Sequence, residues 1–182
     1  MSYDLWGRLR YMLSPQFDIY EQVSKAVHGN VLDVGSGTGF GTHLLSRNAN
    51  YVVGYEIDMT AKEFADRAFS NGKITFYNVD ITKPIGPAGY DFVTMIDVIE
   101  HIRDDVSAAT HCRELLSESG TFICSTPNRL SRYRKSEYHV REYSPDELKK
   151  MLLNAFDSVA LVDFKLEPLE SDHTNPILAV CL

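Results

Sequence analysis

Short apolar runs alternate with amphipathic stretches along most of the chain. The runs are four to seven residues long and rich in β-branched and aromatic residues, as buried strands are. They are Val31–Val34, Tyr51–Tyr55, Ile74–Asn78, Tyr90–Ile96 and Thr121–Cys124. Between them, apolar residues recur every three or four positions, which is typical of a helix with one buried face.

Capping signals mark several helix starts. Ser14-Pro15 and Ser144-Pro145 each combine a favoured N-cap with a proline at the first helical position, and Thr60 with Glu63 forms a capping-box pattern. The predicted helices run from Pro15 to about Gly29, over Thr42–Arg47, from Thr60 to about Asn71, over Asp104–Ser117, and onward from Pro145.

Two last apolar segments, Val159–Phe164 and Ile177–Cys181, leave no room for a helix between them and predict an antiparallel hairpin. With the preceding strand–helix alternation, they predict an α/β fold: a doubly wound, mostly parallel seven-stranded sheet with helices on both faces. We expect a single domain over residues 1–182, with an N-terminal helical segment (1–29) and a core (30–182) that contains a long connection, 126–143.

Composition narrows the class of protein. The chain is 44% hydrophobic and carries a net charge of −7, which argues against nucleic acid as a partner. No apolar run reaches the ~18–20 residues of a membrane span. The N-terminus has an early acid, Asp4, and no apolar core, unlike a signal peptide. Three scattered cysteines without a C-x-x-C spacing fit a cytoplasmic location.

The first strand is followed by three alternating glycines, Gly35, Gly37 and Gly39. Glycines at such a position let the backbone turn tightly and approach a ligand closely. Asp33 lies inside the strand just before them, where its carboxylate supports a cationic ligand or fixes the loop.

Acidic residues also end the next two strands. Glu56 can accept hydrogen bonds from both hydroxyls of a ribose, or it is only a solvated strand end. Asp80 can accept from the exocyclic amine of an adenine, with the backbone of Ile81 donating, or it caps a turn. Because ligands of doubly wound sheets bind at the carboxyl ends of the strands, these acids indicate a nucleoside-binding pocket.

These motifs resemble those of class I S-adenosylmethionine-dependent methyltransferases, in order from about residue 30 to 150. Residues 31–39 resemble the glycine-rich first motif, 54–58 the ribose-binding acidic loop and 78–81 the adenine-contacting segment. Residues 90–102 and 116–128 are similar to the fourth and fifth strands of the branch related to ubiquinone-biosynthesis O-methyltransferases.

The resemblance implies S-adenosylmethionine as the cofactor and gives each motif a role. The methionine part would lie near Asp33, Gly35 and Gly37, and its amino group would face the backbone of Asp97. The ribose would bind Glu56, and the adenine would lie between Ile57 and Ile81, beside Asp80.

The sulfonium methyl would then point toward residues 97–101 and the long connection. His101 and His139 are the candidate general bases there, since an unperturbed imidazole titrates near pH ~6.5. Some relatives hold a divalent metal on a Glu-x-x-Glu-His pattern. The matching set here would be Asp97, Glu100, His101 and His139, but Asp97 departs from that pattern. We therefore expect no tightly bound metal, and a structural role for Glu100 and His101.

The long connection is strongly basic. Between Arg129 and Arg141 it holds five basic residues and one acid, a net +4, which leaves −11 for the rest of the chain. Arg132, Arg134 and Lys135 are the predicted acceptor-binding residues, because arginine suits contact with an anionic group. The alternative is a solvated loop with scattered charges.

The resulting prediction is a methyltransferase that acts on an oxygen or nitrogen of a small, anionic acceptor. One alternative is a non-catalytic binding protein of the same fold. Another is a dinucleotide-dependent oxidoreductase, against which Asp33 and the closing hairpin argue. The sequence carries no signal for an oligomeric state.

Overall fold

A computed structural model describes residues 15–86, 89–131 and 136–182 of the chain. The elements in chain order are α1 Pro15–Ala26, β1 Asn30–Val34, α2 Phe40–Leu45, β2 Tyr51–Glu56, α3 Met59–Phe69, β3 Ile74–Asn78, β4 Tyr90–Ile96, a 3₁₀ helix Ile99–His101, α4 Asp105–Leu115, β5 Leu116–Thr126, α5 Pro145–Leu152, β6 Val159–Val162 and β7 Ile177–Cys181.

The strands form one seven-stranded sheet in the order β3-β2-β1-β4-β5-β7-β6. Strands β1 to β5 are parallel, whereas β7 lies between β5 and β6 and is antiparallel to both. The predicted fold class is confirmed, including the antiparallel pairing of the last two strands. The chain order reverses between β1 and β4, and such a reversal opens a crevice at the carboxyl ends of the strands.

Both faces of the sheet are covered by apolar helix surfaces. On one face Val31 belongs to a buried cluster with Ile19 and Val23 of α1. On the other face the next residue, Leu32, belongs to a cluster with Cys112 of α4 and Leu148 of α5. Each such aliphatic side chain contributes about 1.5–3 kcal/mol when it leaves water. Strand β1 is therefore fixed from both sides, and its end is a rigid base for a site.

The start of α3 differs from the prediction. The helix begins at Met59, and the Asp58 side chain accepts a hydrogen bond from the backbone N–H of Ala61. The predicted cap, Thr60, lies inside the first turn. Asp58 is itself a favoured N-cap residue, and only one residue separates it from the end of β2. The N-cap therefore lies two residues earlier than predicted and closer to the end of the strand.

Other boundaries were also displaced. Strand β5 begins at Leu116, before Gly120, so α4 ends at Leu115 and not at Ser117. Leu116 pairs with Tyr90 and Thr121 pairs with Phe92, so the polar run 117–120 lies in an irregular part of the register. Polar residues at an irregular strand end leave no alternating pattern in the sequence. Helix α2 likewise starts and ends two residues before the predicted range, and β6 ends at Val162.

The three cysteines are buried and free, as small buried hydrophobes would be. No helix of the described residues has the length and hydropathy that a bilayer crossing requires.

Candidate functional site

A cavity of about 560 Å³ lies where the parallel strands end and is named the strand-end cavity. Its walls come from the ends of β1, β2 and β4 and from the segments that follow β3 and β4. They consist of Val34, Gly35, Tyr55, Glu56, Ile57, Val79, Asp80, Ile81, Thr82, Asp97, Val98, His101, Ile102, Arg103 and Asp104.

A second cavity of about 230 Å³ lies beside the glycine turn and is named the glycine-loop cavity. It shares Gly35, Asp97 and Val98 with the strand-end cavity. The other walls include Gln16 and Tyr20 of α1, which the sequence analysis did not assign to the site. Together the two cavities form an elongated space across the crevice between β1 and β4.

Two glycines of the turn differ in the space around them. Gly35 adopts a φ of 73°, and a Cβ added there would lie 2.4 Å from the Val98 side chain. Gly37 also has a positive φ, 53°, but no heavy atom lies within 4 Å of where its Cβ would be. At Gly37 bare backbone therefore faces open space, as the sequence predicted for a loop that a ligand approaches closely.

Glu56 ends β2 with its carboxylate held by backbone donors. The N–H of Gly37 lies 2.7 Å from Oε2, and the N–H of Asp58 lies 2.8 Å from Oε1. The side chain is buried and lines the strand-end cavity. Since each carboxylate oxygen can accept a second hydrogen bond, Glu56 is an oriented acceptor and not a solvated strand end.

Asp33 is fully buried beneath the glycine turn. Its carboxylate accepts hydrogen bonds from the hydroxyls of Tyr20 (3.0 Å), Thr42 (2.7 Å) and Thr94 (2.9 Å). Burial raises its pKa to about 6, although the three hydroxyls oppose the shift. The residue lines neither cavity, and its contacts join α1, β1, α2 and β4, so the structure favours the loop-fixing role over direct ligand contact.

At the opposite end of the strand-end cavity, two isoleucines stand in different environments. Ile57 is 66% exposed, whereas Ile81 is 6% exposed. Asp80 caps the turn that follows β3. Its Oδ1 accepts hydrogen bonds from the N–H and the hydroxyl of Thr82, and these bonds lower the pKa of Asp80. Asp80 is therefore a turn cap, which was one of the two alternatives, and it also lines the cavity, so its contact with an adenine stays a prediction.

Asp97 lies between the two cavities in a left-handed conformation with a φ of 52°. The Ser125 hydroxyl donates to its Oδ1 at 2.6 Å, and its own N–H faces Ser125 of β5. Burial raises the pKa of this carboxyl. A non-glycine residue with a positive φ is uncommon and marks a constrained backbone.

The two predicted bases lie close together. The rings of His101 and His139 are 5.0 Å apart, edge to face. His101 Nδ1 is 3.0 Å from the carbonyl oxygen of Tyr138, which only accepts, so Nδ1 carries the hydrogen and the neutral ring has its lone pair on Nε2. This tautomer suits a proton acceptor, and His101 lines the strand-end cavity.

Glu100 is buried directly behind this pair. The Thr126 hydroxyl donates to it at 3.0 Å, and burial together with the Asp97 carboxylate raises its pKa to about 8. Ligand-type atoms of Glu100, His101 and His139 all lie within 4.8 Å of one another. Asp97, the remaining member of the predicted metal set, is not in this group. The backbone carbonyl of Glu100 accepts from Val140 and Arg141, which is the structural role considered for this residue.

The two basic residues of the long connection that the structure describes, Arg129 and Arg141, both form ion pairs. Arg129 contacts Glu147 at the start of α5, 2.8 Å apart, and Arg141 pairs with the buried Asp105 at the start of α4. The predicted acceptor-binding residues Arg132, Arg134 and Lys135 lie outside the described residues.

A sequence model of the methyltransferase-domain family matches residues 7–157 of the chain. The chain belongs to this methyltransferase-domain family. A probable S-adenosylmethionine-dependent methyltransferase of Mycobacterium tuberculosis is 27% identical over 171 residues, which cover 88% of this chain and 62% of that protein. A ubiquinone biosynthesis O-methyltransferase of Cereibacter sphaeroides is 32% identical over 102 residues, or 54% of this chain and 41% of that one. The chain thus spans about three fifths of the first curated relatives, or less.

Solved structures share the fold of this methyltransferase domain. An S-adenosylmethionine-dependent methyltransferase from Clostridium acetobutylicum superposes with a TM-score of 0.78 at 15% identity, covering 100% of this chain and 99% of the other. A DhpI–SAH complex has a TM-score of 0.72 at 19% identity, covering 96% and 86%. The family resemblance read from the sequence motifs is confirmed, and the oxidoreductase alternative is set aside. The predicted cofactor, S-adenosylmethionine, is the one in the name of the Mycobacterium tuberculosis relative.

Proposed function

We propose that this methyltransferase domain transfers a methyl group from S-adenosylmethionine to an oxygen or nitrogen of a small, anionic acceptor. The observation that carries the proposal is the oriented Glu56 carboxylate in a strand-end cavity that also contains His101. In this one cavity, Glu56 can accept hydrogen bonds from the ribose hydroxyls, and His101 can take a proton from the molecule that is methylated.

The residues of the two cavities fit the cofactor. Ser36 lines the glycine-loop cavity, and its buried Oγ has no hydrogen-bond partner among the described residues. Buried polar atoms are normally paired, so this hydroxyl and the bare backbone at Gly37 suit the polar methionine end. Glu56 would hold the ribose, and the exposed Ile57 would cover the adenine and leave water.

When bound, S-adenosylmethionine supplies a methyl group on a positively charged sulfur, which the acceptor displaces in line. The chain mainly orients the partners. An acceptor hydroxyl or ammonium must also lose a proton, and His101 Nε2 would receive it while the Tyr138 carbonyl holds the ring through Nδ1. His139, in edge contact with that ring, is the second candidate base.

The charge of the long connection supports an anionic acceptor. Arg129 and Arg141 are engaged with acids, so they serve to hold the ends of the connection. The proposed acceptor-binding cations are Arg132, Arg134 and Lys135, which lie outside the described residues. Arginine binds phosphate and carboxylate groups through paired hydrogen bonds, which makes such groups the proposed chemistry of the acceptor.

The test is transfer of labelled methyl from S-adenosylmethionine to a panel of small alcohols, phenols and amines, each supplied with and without a phosphate or carboxylate group. We expect label in a charged member and less in its uncharged counterpart, and none with Glu56→Ala at a low cofactor concentration. Equal labelling of both counterparts would contradict the anionic acceptor. Tight cofactor binding without transfer to any compound would favour the non-catalytic alternative.

A further inference from the structure

His111 contacts the wall of the strand-end cavity from outside. It lies on α4, and its Nδ1 is 2.8 Å from the carbonyl oxygen of Ile81, which lines the cavity. The side chain is half-buried and points at the segment after β3.

The chemistry of the contact fixes the imidazole. A carbonyl oxygen only accepts, so Nδ1 must carry the hydrogen and donate it. Nδ1 carries a hydrogen in the imidazolium form as well, so the bond persists in both protonation states. The contact therefore acts as a permanent tie between α4 and Ile81.

The tied segment has little other regular pairing. The N–H of Val79 donates to Glu56, which is the last strand-like bond of β3. Beyond it, Asp80 and Thr82 bond to each other within the turn, and the Lys83 N–H returns to Asp80. These bonds lie within the turn. The His111 bond attaches the backbone of the segment to α4, in addition to the packing of the Ile81 side chain in the core cluster.

We propose that His111 is a positioning residue for the adenine ring. This inference rests on the proposed function, because it takes the strand-end cavity as the adenosine site. Both hydrogen bonds from Thr82 go to Oδ1 of Asp80, so Oδ2 is the oxygen that can accept from the exocyclic amine of adenine. By holding the peptide after Asp80, His111 sets the position of that oxygen and of the Ile81 side chain against the ring.

The test compares two ligands by calorimetry: S-adenosylhomocysteine and its 6-oxo analogue S-inosylhomocysteine, which lacks the exocyclic amine. His111→Phe keeps a ring and loses the donor, whereas His111→Asn retains an N–H near the place of Nδ1. A matched control is His173→Phe, because His173 makes the same kind of bond to the carbonyl of Leu130, at 2.9 Å, away from both cavities.

We expect His111→Phe to weaken S-adenosylhomocysteine binding by about 3-fold to 10-fold, the equivalent of one neutral hydrogen bond. The analogue should lose less, so the preference for the adenine form should shrink. His111→Asn should recover most of the loss, and His173→Phe should bind like the parent.

Equal losses for both ligands, or parental affinities in His111→Phe, would overturn the positioning role. If His111→Phe does not fold, the same comparison in His111→Asn and His111→Leu decides, with Asn expected to keep more of the preference. A parent chain that binds neither ligand would instead refute the proposed function itself, and the inference with it.

Discussion

Single carboxylates in this chain have distinct tasks that follow from what surrounds them. Glu56 is held by two backbone N–H groups at the cavity wall, whereas Asp33 is held by three hydroxyls beneath the turn. Both lie at or near a strand end, yet only Glu56 reaches the cavity. The direction of the side chain, and not the position in the motif, separates the acid that lines the cavity from the acid that fixes the loop.

The first prediction concerns Glu56. Glu56→Ala should weaken binding of S-adenosylhomocysteine by about 1.5–3 kcal/mol, the range for hydrogen bonds to a charged group, which is about 10-fold to 150-fold in affinity. Calorimetry measures this loss, and Glu63→Ala, an exposed acid on α3, is the control. Asp80→Ala should cost less, since its contact is more exposed. A larger loss at Asp80 than at Glu56 would reverse the ranking.

The second prediction concerns the pH dependence of stability. The folded-state pKa of Asp33 is about 6, above its ordinary value of 3.8, so as pH rises the unfolded chain loses this proton first. The contribution of Asp33 to the free energy of unfolding therefore falls between about pH 4 and 6, by about 3 kcal/mol for a shift of this size. Urea unfolding of Asp33→Asn should lack that fall, because an amide does not titrate. Parallel pH profiles for parent and variant would contradict this.

The third prediction concerns metal. We expect no tightly bound ion at Glu100, His101 and His139, although their ligand-type atoms approach within 4.8 Å. Asp97 departs from the relatives' pattern and is not in this group, and Glu100 and His101 are adjacent in the chain. Metal analysis of protein purified without chelator is the measurement. One equivalent of a divalent metal that disappears in Glu100→Ala would overturn the expectation.

At the scale of elements, the long connection is anchored at its first residues to the segment between β6 and β7. Asn128 is fully buried, and its side-chain amide donates to the carbonyls of Asp172 and Thr174, each at 2.7 Å. Its N–H donates to the Asn175 side chain, and Arg129 N–H donates to Tyr143 at the far end of the connection. Asn128 and Arg129 therefore join three segments: the start of the long connection, its end at Tyr143, and the segment between β6 and β7.

The fourth prediction follows from this junction. Asn128→Ala should lower the free energy of unfolding by about 1–3 kcal/mol, because a buried amide is removed and two carbonyls lose their donor. Hydrogen exchange should accelerate together in peptides covering 127–131 and 171–176. Asn154→Ala, which removes an exposed amide just after α5, is the control. Acceleration in only one of the two segments would show that Asn128 does not join them.

For the whole molecule, the charge distribution is the main unexplained asymmetry. The stretch from Arg129 to Arg141 is positive on a chain of net charge −7. The fifth prediction is that Arg132, Arg134 and Lys135, replaced together by Ala, raise the KM for an anionic acceptor and leave cofactor affinity unchanged. The defect should shrink at high ionic strength because salt screens the parent's attraction too.

A matched control replaces three basic residues of other surfaces, Lys25, Arg67 and Lys165. Parental acceptor kinetics in the first triple variant at low salt would make the segment a solvated surface. A loss of cofactor affinity would instead assign it to the cofactor site.

The sheet and the acids at its strand ends could be predicted because strand length, glycine spacing and the alternation of elements are local patterns. The hydroxyls around Asp33 could not, since Tyr20 and Thr94 are brought to it only by packing. The same holds for His111, whose partner Ile81 is thirty residues away. The start of α3 was missed because Asp58 and Thr60 are both good caps, and only the turn after β2 decides between them.

A crystal structure of the chain with S-adenosylhomocysteine is the most direct test that the two cavities bind the cofactor. We expect the adenine between Ile57 and Ile81, the ribose hydroxyls on the Glu56 carboxylate, and the homocysteine end in the glycine-loop cavity beside Ser36 and Gly37. Its sulfur should face the side of the cavity that holds His101. A ligand bound elsewhere, or one whose ribose does not touch Glu56, would contradict the account.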